Sequence, residues 1–320
     1  MNAHESLARL GRWQWPEVAI WAAAASSFLL PDQYLLLNEV AILGLFALSL
    51  DLVLGYGGII SLGHAAFFGT GAYVAGILAK SGYGDPLLGL AAAAAAATIL
   101  GFLTSFLVLR GSDLTRLMVT LSVSLVLFEV ANRLPALTGG ADGLQGMTVA
   151  PLLGRFEFDI FGTVSYAYSV TVLFALFLIA RRVMHSPFGL SVRAVKGNPL
   201  RTAAIGIPVN ARLVAIYTMA AAYAGIAGAL LAQTTQFVSL DVLAFHRSAD
   251  VMLTLVLGGT GYLYGGLIGA LLFRFAQSAL SDLTPEYWQF WIGLLFVALV
   301  VIGRDRVFAW PQALLRSLRR

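Results

Sequence analysis

The sequence predicts an all-α polytopic transmembrane bundle of about eight to ten spans, with glycine-broken or re-entrant helices in each half. Three observations predict it. Hydrophobic residues make up 59% of the 320 and charged residues 11%, where soluble proteins carry about 25% charged. Mean hydropathy is +0.84. The charges are also segregated: of 20 Lys and Arg and 16 Asp and Glu, Glu39, Asp51, Glu129, Asp250 and Arg274 alone fall inside the apolar windows. So few charges cannot solvate a globular surface of this size, which excludes a water-soluble enzyme. The same composition excludes a disordered or collagenous chain. With no cysteine, disulfides, thiolate metal sites and cysteine nucleophiles are absent.

Crossing the hydrocarbon takes about 20 apolar residues. In order, the windows that meet this length are 35–54, 59–79, 86–109, 163–180, 213–236, 262–280 and 287–303, with weaker ones at 18–30, 117–132 and 248–258. Arg9 and Arg12 before residues 18–30 resemble the flank of a signal peptide. The small residues 22–27 lie mid-segment with Phe28, Leu29 and Leu30 after them, so an uncleaved first span is expected.

Lys and Arg bias sets the orientation. Residues 181–212 carry Arg181, Arg182, Arg193, Lys196, Arg201 and Arg212 with no acid, and residues 304–320 add Arg304, Arg306, Arg316, Arg319 and Arg320. Both are expected in the cytoplasm, with residues 1–16 and the turn holding Arg110 and Arg116. The connections with Asp32 and Glu39, with Asp142, Glu157 and Asp159, and with Asp282 and Glu286 are expected outside. Alternate threading then leaves 248–280 beginning and ending outside, as two spans or a re-entrant hairpin. The expected organisation is a single transmembrane domain: a bundle over 17–303, a structured cytoplasmic loop over 183–211, and a basic cytoplasmic tail over 304–320. Within the loop, residues 190–205 read as a helical stretch ended by Gly206 and Pro208. The net charge of +4 belongs to these cytoplasmic segments, and no nucleic-acid partner is expected.

Two glycine clusters stand out. The first holds Gly55, Gly57, Gly58 and Gly63, with Ser61 and His64 supplying polar groups; the second holds Gly258, Gly259 and Gly261, followed by Gly265, Gly266 and Gly269. Each glycine weakens a helix by about 1 kcal/mol. In lipid a broken helix is tolerated where it lines a cavity or is buried in protein, and paired breaks in two halves point to a transport path. A plain cytoplasmic turn is the alternative for the first cluster. Small residues also form stripes at Ala65, Gly69, Ala72 and Gly76 and at Ala221, Gly225, Gly228 and Ala232, which suit close helix packing. The seven alanines 91–97 form a smooth helix surface.

The intramembrane charges cost about 2.5–3.5 kcal/mol each at mid-span. Counted outward from the 259–261 turn, Asp250 and Arg274 reach similar depths and are expected to pair, as are Glu129 and Arg133 at i, i+4. No metal site is expected, since His4, His185 and His246 have no ligand spacing with His64. The chain has no G-x-x-x-x-G-K-[ST] loop, no G-x-S-x-G elbow and no H-E-x-x-H pair, so neither catalysis nor a cofactor is expected.

The run G-Y-G-G-I-I-S-L-G-H-A-A-F-F-G-T-G-A-Y at 55–73 resembles the signature of the branched-chain amino acid ABC transporter permeases, in particular the subunit that usually pairs with a second, related permease. L-T-G-G-A-D-G-L at 137–144, S-P-F-G at 186–189 leading into R-A-V-K-G-N at 193–198, and L-G-G-T-G-Y-L-Y-G-G-L-I-G-A at 257–270 extend the likeness from about residue 40 to 303. Leu190 and Pro199 depart from the pattern common in relatives. The resemblance implies a bacterial inner-membrane importer subunit moving branched-chain or other hydrophobic amino acids by alternating access; other members take urea, amides or aromatic acids. It implies four kinds of partner: the second permease, two cytoplasmic ATP-binding subunits, a periplasmic binding protein meeting outer loops that include 138–144, and membrane lipid. It implies that residues 186–210 dock on the ATPase as a coupling helix through Arg193, Ala194, Asn198, Ala203, Ala204 and Gly206. The glycine breaks would flank a path beside the partner permease. Apart from that resemblance, an ion-coupled secondary transporter using Asp51 and Glu129 is a rival.

Overall fold

The computed structural model describes residues 15–27, 33–159, 161–287, 290–294 and 297. The basic tail 304–320, residues 1–14 and most of the 287–303 window lie outside them. The described residues are predominantly helical, and β-pairing among them is confined to isolated bridges such as Leu144 with Val238. The main helices are α1 (Trp15–Ser26), α2 (Tyr34–Asp51), α3 (Ala65–Lys80), α4 (Pro86–Val108), α5 (Asp113–Arg133), α6 (Thr163–Met184), α7 (Pro187–Gly197), α8 (Pro199–Ala204), α9 (Val209–Thr235), α10 (Phe245–Gly258) and α11 (Gly265–Leu283). Among the described residues, five segments are long and apolar enough to cross a membrane: Tyr34–Tyr56, α4, α5, α6 and α9. The chain is an all-α polytopic membrane bundle, as its composition predicts.

Two compact units make up the chain, residues 1–270 and 271–320. In the first, α9 is the central helix, packed against α4, α3 and α2, while α2 also packs on α6 and α10. Exposure separates inner from outer helices. About 72% of the α2 window and 67% of the α9 window are buried, against 28% for α4 and 17% for α5. The last two therefore present apolar side chains such as Phe102, Phe106, Leu114 and Met118 outward, as lipid-facing or partner-facing helices must. In the second unit, Arg274 donates from Nη1 to Gln277 Oε1 at 2.8 Å within α11.

Small residues set the approach distances. A Cβ placed at Gly228 would collide with the Phe68 carbonyl, and one at Gly71 with the Gly225 backbone. The alanine run of α4 offers Ala93 and Ala97, both fully buried, to Gly225. The expected stripe on α3 is split in use. Gly69 faces Leu243 and Gly76 faces Leu144 and Met147, so these two seat connecting segments, and it is Gly71 that brings α3 onto α9.

Two expectations change. The window 59–79 starts as a helix only at Ala65, because residues 57–64 are not helical. The stretch 190–205 is two helices, not one: Asn198 is extended (φ −160°, ψ 101°), its side-chain oxygen accepts from the Arg201 N–H at 3.0 Å, and Pro199 follows. An N-cap next to a proline ends one helix and starts another. In the hairpin that starts near residue 248, α10 has 14 residues, about 21 Å at 1.5 Å per residue. That is too short for a hydrocarbon core of about 30 Å, which fits the re-entrant reading of this arm.

Segments that alternate threading assigns to one side meet one another. Gly84 accepts from Ala150 N–H at 2.9 Å, Leu144 bridges Val238, and Gln233 Nε2 donates to the Pro86 carbonyl at 2.8 Å. At the opposite end, Glu17 and Arg181 form a buried ion pair at 3.2 Å. The predicted Glu129–Arg133 pair is present at 2.5 Å on an exposed part of α5.

Candidate functional site

The first glycine cluster is built on the end of α2. After Asp51 the helix widens into a π-helical turn, Leu52–Tyr56, a distortion that often marks functional sites. Gly57 N–H reaches back to Leu52 O at 3.2 Å and Ile59 N–H to Val53 O at 3.1 Å. The chain then runs without helix to His64. Gly55, Tyr56, Gly57, Ile59, Ser61, Gly63 and His64 are all buried. A plain surface turn would be solvated; this segment is instead enclosed by protein.

Each neighbour of the break contributes a contact. Leu62 N–H donates to Thr120 Oγ1 at 3.3 Å, and a Cβ at Gly63 would strike the Thr120 carbonyl, so α5 lies directly against it. The first amide of α3, Ala65 N–H, donates to Ser248 Oγ of α10 at 2.9 Å, supplying a partner that the opening turn of a helix lacks. His64 is fully buried between Phe46, stacked at 5.6 Å, and Phe67, edge-on at 5.6 Å. Ser49 Oγ donates to the Phe46 carbonyl at 2.6 Å, so toward His64 it accepts, at 2.8 Å from Nε2. That places the imidazole proton on Nε2 and leaves Nδ1 as a buried acceptor without a partner among the described residues. Ser61 Oγ is in the same condition. No group of three His, Cys, Asp or Glu with metal-holding geometry occurs among the described residues.

The structure joins the two glycine clusters. Asp51 Oδ1 accepts from Gly261 N–H at 2.7 Å. Gly55 lies between them: a Cβ there would collide with the Asp51 carboxylate and crowd Gly261 N. In the second cluster the glycines divide by task. Gly259 (φ +106°) and Gly261 (φ +83°) make the turn, in a conformation side chains resist. Gly258 packs against the Gly265 carbonyl and Gly269 against the Thr254 carbonyl, so the two arms touch backbone to backbone.

Of the residues predicted for coupling, Arg193 places its guanidinium carbon 4.9 Å from the Tyr56 ring centroid. Ala194, Asn198, Ala203, Ala204 and Gly206 are exposed. Beside them Leu200 and Ile205 are 84% and 73% exposed, an apolar pair that motif matching passed over. Lys196 was also missed. Its Nζ donates to the Gly55 carbonyl at 2.6 Å and its stem packs on Gly58. The signal was its place three residues after Arg193, on the same face of α7. Asp250 lies in α10 and Arg274 in α11.

A cavity of about 1010 Å³ opens between α4 and α9, lined by residues including Phe102, Phe106, Arg110, Asn210 and Thr218. None of the predicted path residues lines it. The glycine breaks are packed shut around their own hydrogen bonds.

Residues 34–300 match the protein family described as the branched-chain amino acid transport system permease component. The high-affinity branched-chain amino acid transport system permease protein LivM of Escherichia coli K12 is 29% identical over 86% of this chain and 68% of its own length. LivM of Salmonella typhimurium LT2 is 31% identical over the same shares. The ribose import permease protein RbsC of E. coli K12 is 27% identical over 86% of each chain. No solved structure matches. With a family match over most of its length and the glycine signature folded into two joined helix breaks, the chain belongs to the branched-chain amino acid ABC transporter permease family.

Proposed function

We propose that this chain is the membrane-spanning permease subunit of a binding-protein-dependent importer, translocating branched-chain or other hydrophobic amino acids by ATP-driven alternating access. The observation that carries the reading is the geometry of α7 and α8. This basic helix pair buries Val192 and Val195 against the bundle, grips the glycine break through Lys196 and Arg193, and leaves Leu200 and the following Ile205 exposed. Such a pair suits a protein that docks a motor on one face and a gate on the opposite one. Of the residues expected to dock, Ala194, Asn198, Ala203, Ala204 and Gly206 are exposed and are the proposed contacts for two cytoplasmic ATP-binding subunits, while Arg193 lies over Tyr56. Gly55, Gly57, Gly58, Ser61, Gly63, His64, Gly258, Gly259 and Gly261 are the proposed path, closed in this state.

The remaining partners are a second permease and a periplasmic binding protein. The outer faces of α4 and α5, whose apolar side chains are the most exposed of the long helices, are available to that permease and to lipid. The location is the bacterial inner membrane, with both termini in the cytoplasm on the strength of the Lys and Arg bias. Residues 1–320 act as one permease domain.

The substrate class rests on the LivM relatives. A sugar is the second reading, favoured by the ribose permease relative. Thermal-shift screening of the cognate binding protein separates them: leucine, isoleucine or valine is expected to stabilise it, and stabilisation by ribose, urea, amides or aromatic acids instead would refute the amino-acid assignment. Uptake by this chain alone, driven by an ion gradient, would refute the ATP-driven mechanism.

A further inference from the structure

At each helix break one freed backbone group is met by a charged side chain from elsewhere in the chain. In a continuing α-helix the Gly55 carbonyl would accept from the residue-59 amide. Ile59 N–H is instead engaged with Val53 O, and Lys196 Nζ takes the vacated acceptor at 2.6 Å. At the second break Gly261 N–H, in the turn after α10, goes to Asp51 Oδ1 at 2.7 Å. Gly55 is common to both: its carbonyl is held by Lys196, and its α-carbon abuts Asp51 and Gly261 N.

We propose that Lys196 is the positioning residue that transmits movement of the α7–α8 pair to both glycine breaks, through the Gly55 carbonyl and the Asp51–Gly261 hydrogen bond. Arg193 and Lys196 divide the work. Arg193 lies over the Tyr56 ring and reaches the Met184 carbonyl only at 3.5 Å from Nη2, long contacts that leave room for lateral sliding. A charge-assisted hydrogen bond of 2.6 Å does not tolerate it. If α7 shifts by more than the lysine stem can take up, the Gly55 carbonyl must follow or lose its donor. The Lys196 stem lies against Gly58 where a side chain would stand, so the same residue also fills the space that a relaxing break would need. This inference rests on the proposed role of α7–α8 as the face that meets the ATPase.

The test uses the complete importer in proteoliposomes, with uptake per ATP hydrolysed as the readout. A fold defect lowers the amount of active complex and leaves that ratio unmoved. Lys196→Met keeps the stem and removes the donor, and is expected to lower the ratio about tenfold, the scale of losing one hydrogen bond to a charged group. Lys196→Arg, which restores a cationic donor, is expected to recover part of it. An unchanged ratio in Lys196→Met overturns the assignment. Should that variant fail to assemble, the cysteine-free chain permits spin labels at Gly197→Cys, where a side chain meets nothing within 4 Å, and at Thr260→Cys, with Lys196 intact. ATP-dependent movement of the first label without the second overturns the proposal; movement of both in one step supports it. A parental complex that transports without hydrolysing ATP would instead overturn the functional reading.

Discussion

The Asp51 carboxylate accepts the amide proton of Gly261 at 2.7 Å, from a residue 210 positions later in the chain. Both groups are products of broken regularity. Asp51 closes α2 where the π-turn begins, and Gly261 sits in the turn following α10. A buried carboxylate is costly in lipid, and here one of its oxygens is spent on a backbone amide that no helix satisfies.

Removing that acceptor should cost stability. Asp51→Ala is expected to lower unfolding free energy by about 1–3 kcal/mol, the cost of a buried amide left without a partner. Asp51→Asn keeps a carbonyl oxygen at the site and should retain most of the stability. Thermal unfolding of the purified chain in detergent measures both; equal melting temperatures for Asp51→Ala and the parent would contradict the role.

The glycine contacts between α3 and α9 predict a sharp contrast. Gly228→Ala puts a methyl group into the Phe68 carbonyl, and overpacking of this kind costs about 1–3 kcal/mol. Gly197→Ala meets nothing within 4 Å and should change stability by less than about 0.5 kcal/mol. Denaturation of the two variants side by side decides the matter, and the prediction fails if they behave alike.

Leu200 and Ile205 should matter for assembly and not for folding. Leu200→Asp and Ile205→Asp leave the isolated chain's melting temperature unchanged, because both side chains are already exposed. Each is expected to reduce co-purification with the ATP-binding subunits by at least about tenfold, as loss of a central apolar anchor does. Retained co-purification would remove these residues from the docking face.

For Asp250 and Arg274, the register of the hairpin sequence predicts opposite charges at like depth. Asp250→Asn and Arg274→Gln should each destabilise more than the two combined, a coupling that a double-mutant cycle reads directly. Additive effects would dissolve the pair.

Much of this architecture was legible in the residues because lipid imposes strict terms. Helix existence followed from apolar length, and the sequence motifs alone were enough to point to the family. What sequence could not locate was governed by contacts between distant segments. The boundary at Ala65 depends on Ser248 supplying the amide partner. The division of 190–205 into two helices depends on a local competition at Asn198–Pro199, which apolar periodicity does not register.

Lys196 makes the same point from the functional side. Its sequence context reads as one more cation in a solvated loop, and the motif comparison favoured its neighbours Arg193 and Ala194. Its role rests on a carbonyl freed 141 positions earlier.

By itself the sequence determined that this protein lies in a membrane, that it is an all-α polytopic bundle, and that both halves carry glycine breaks. Those properties follow from transfer energies and from backbone hydrogen bonding within single segments, which are local quantities. Only the tertiary structure decided that the two breaks are one site, joined by Asp51 and Gly261 and tied to α7 by Lys196. Unsatisfied backbone groups at a break must find partners wherever the fold brings them, and that choice belongs to three-dimensional packing.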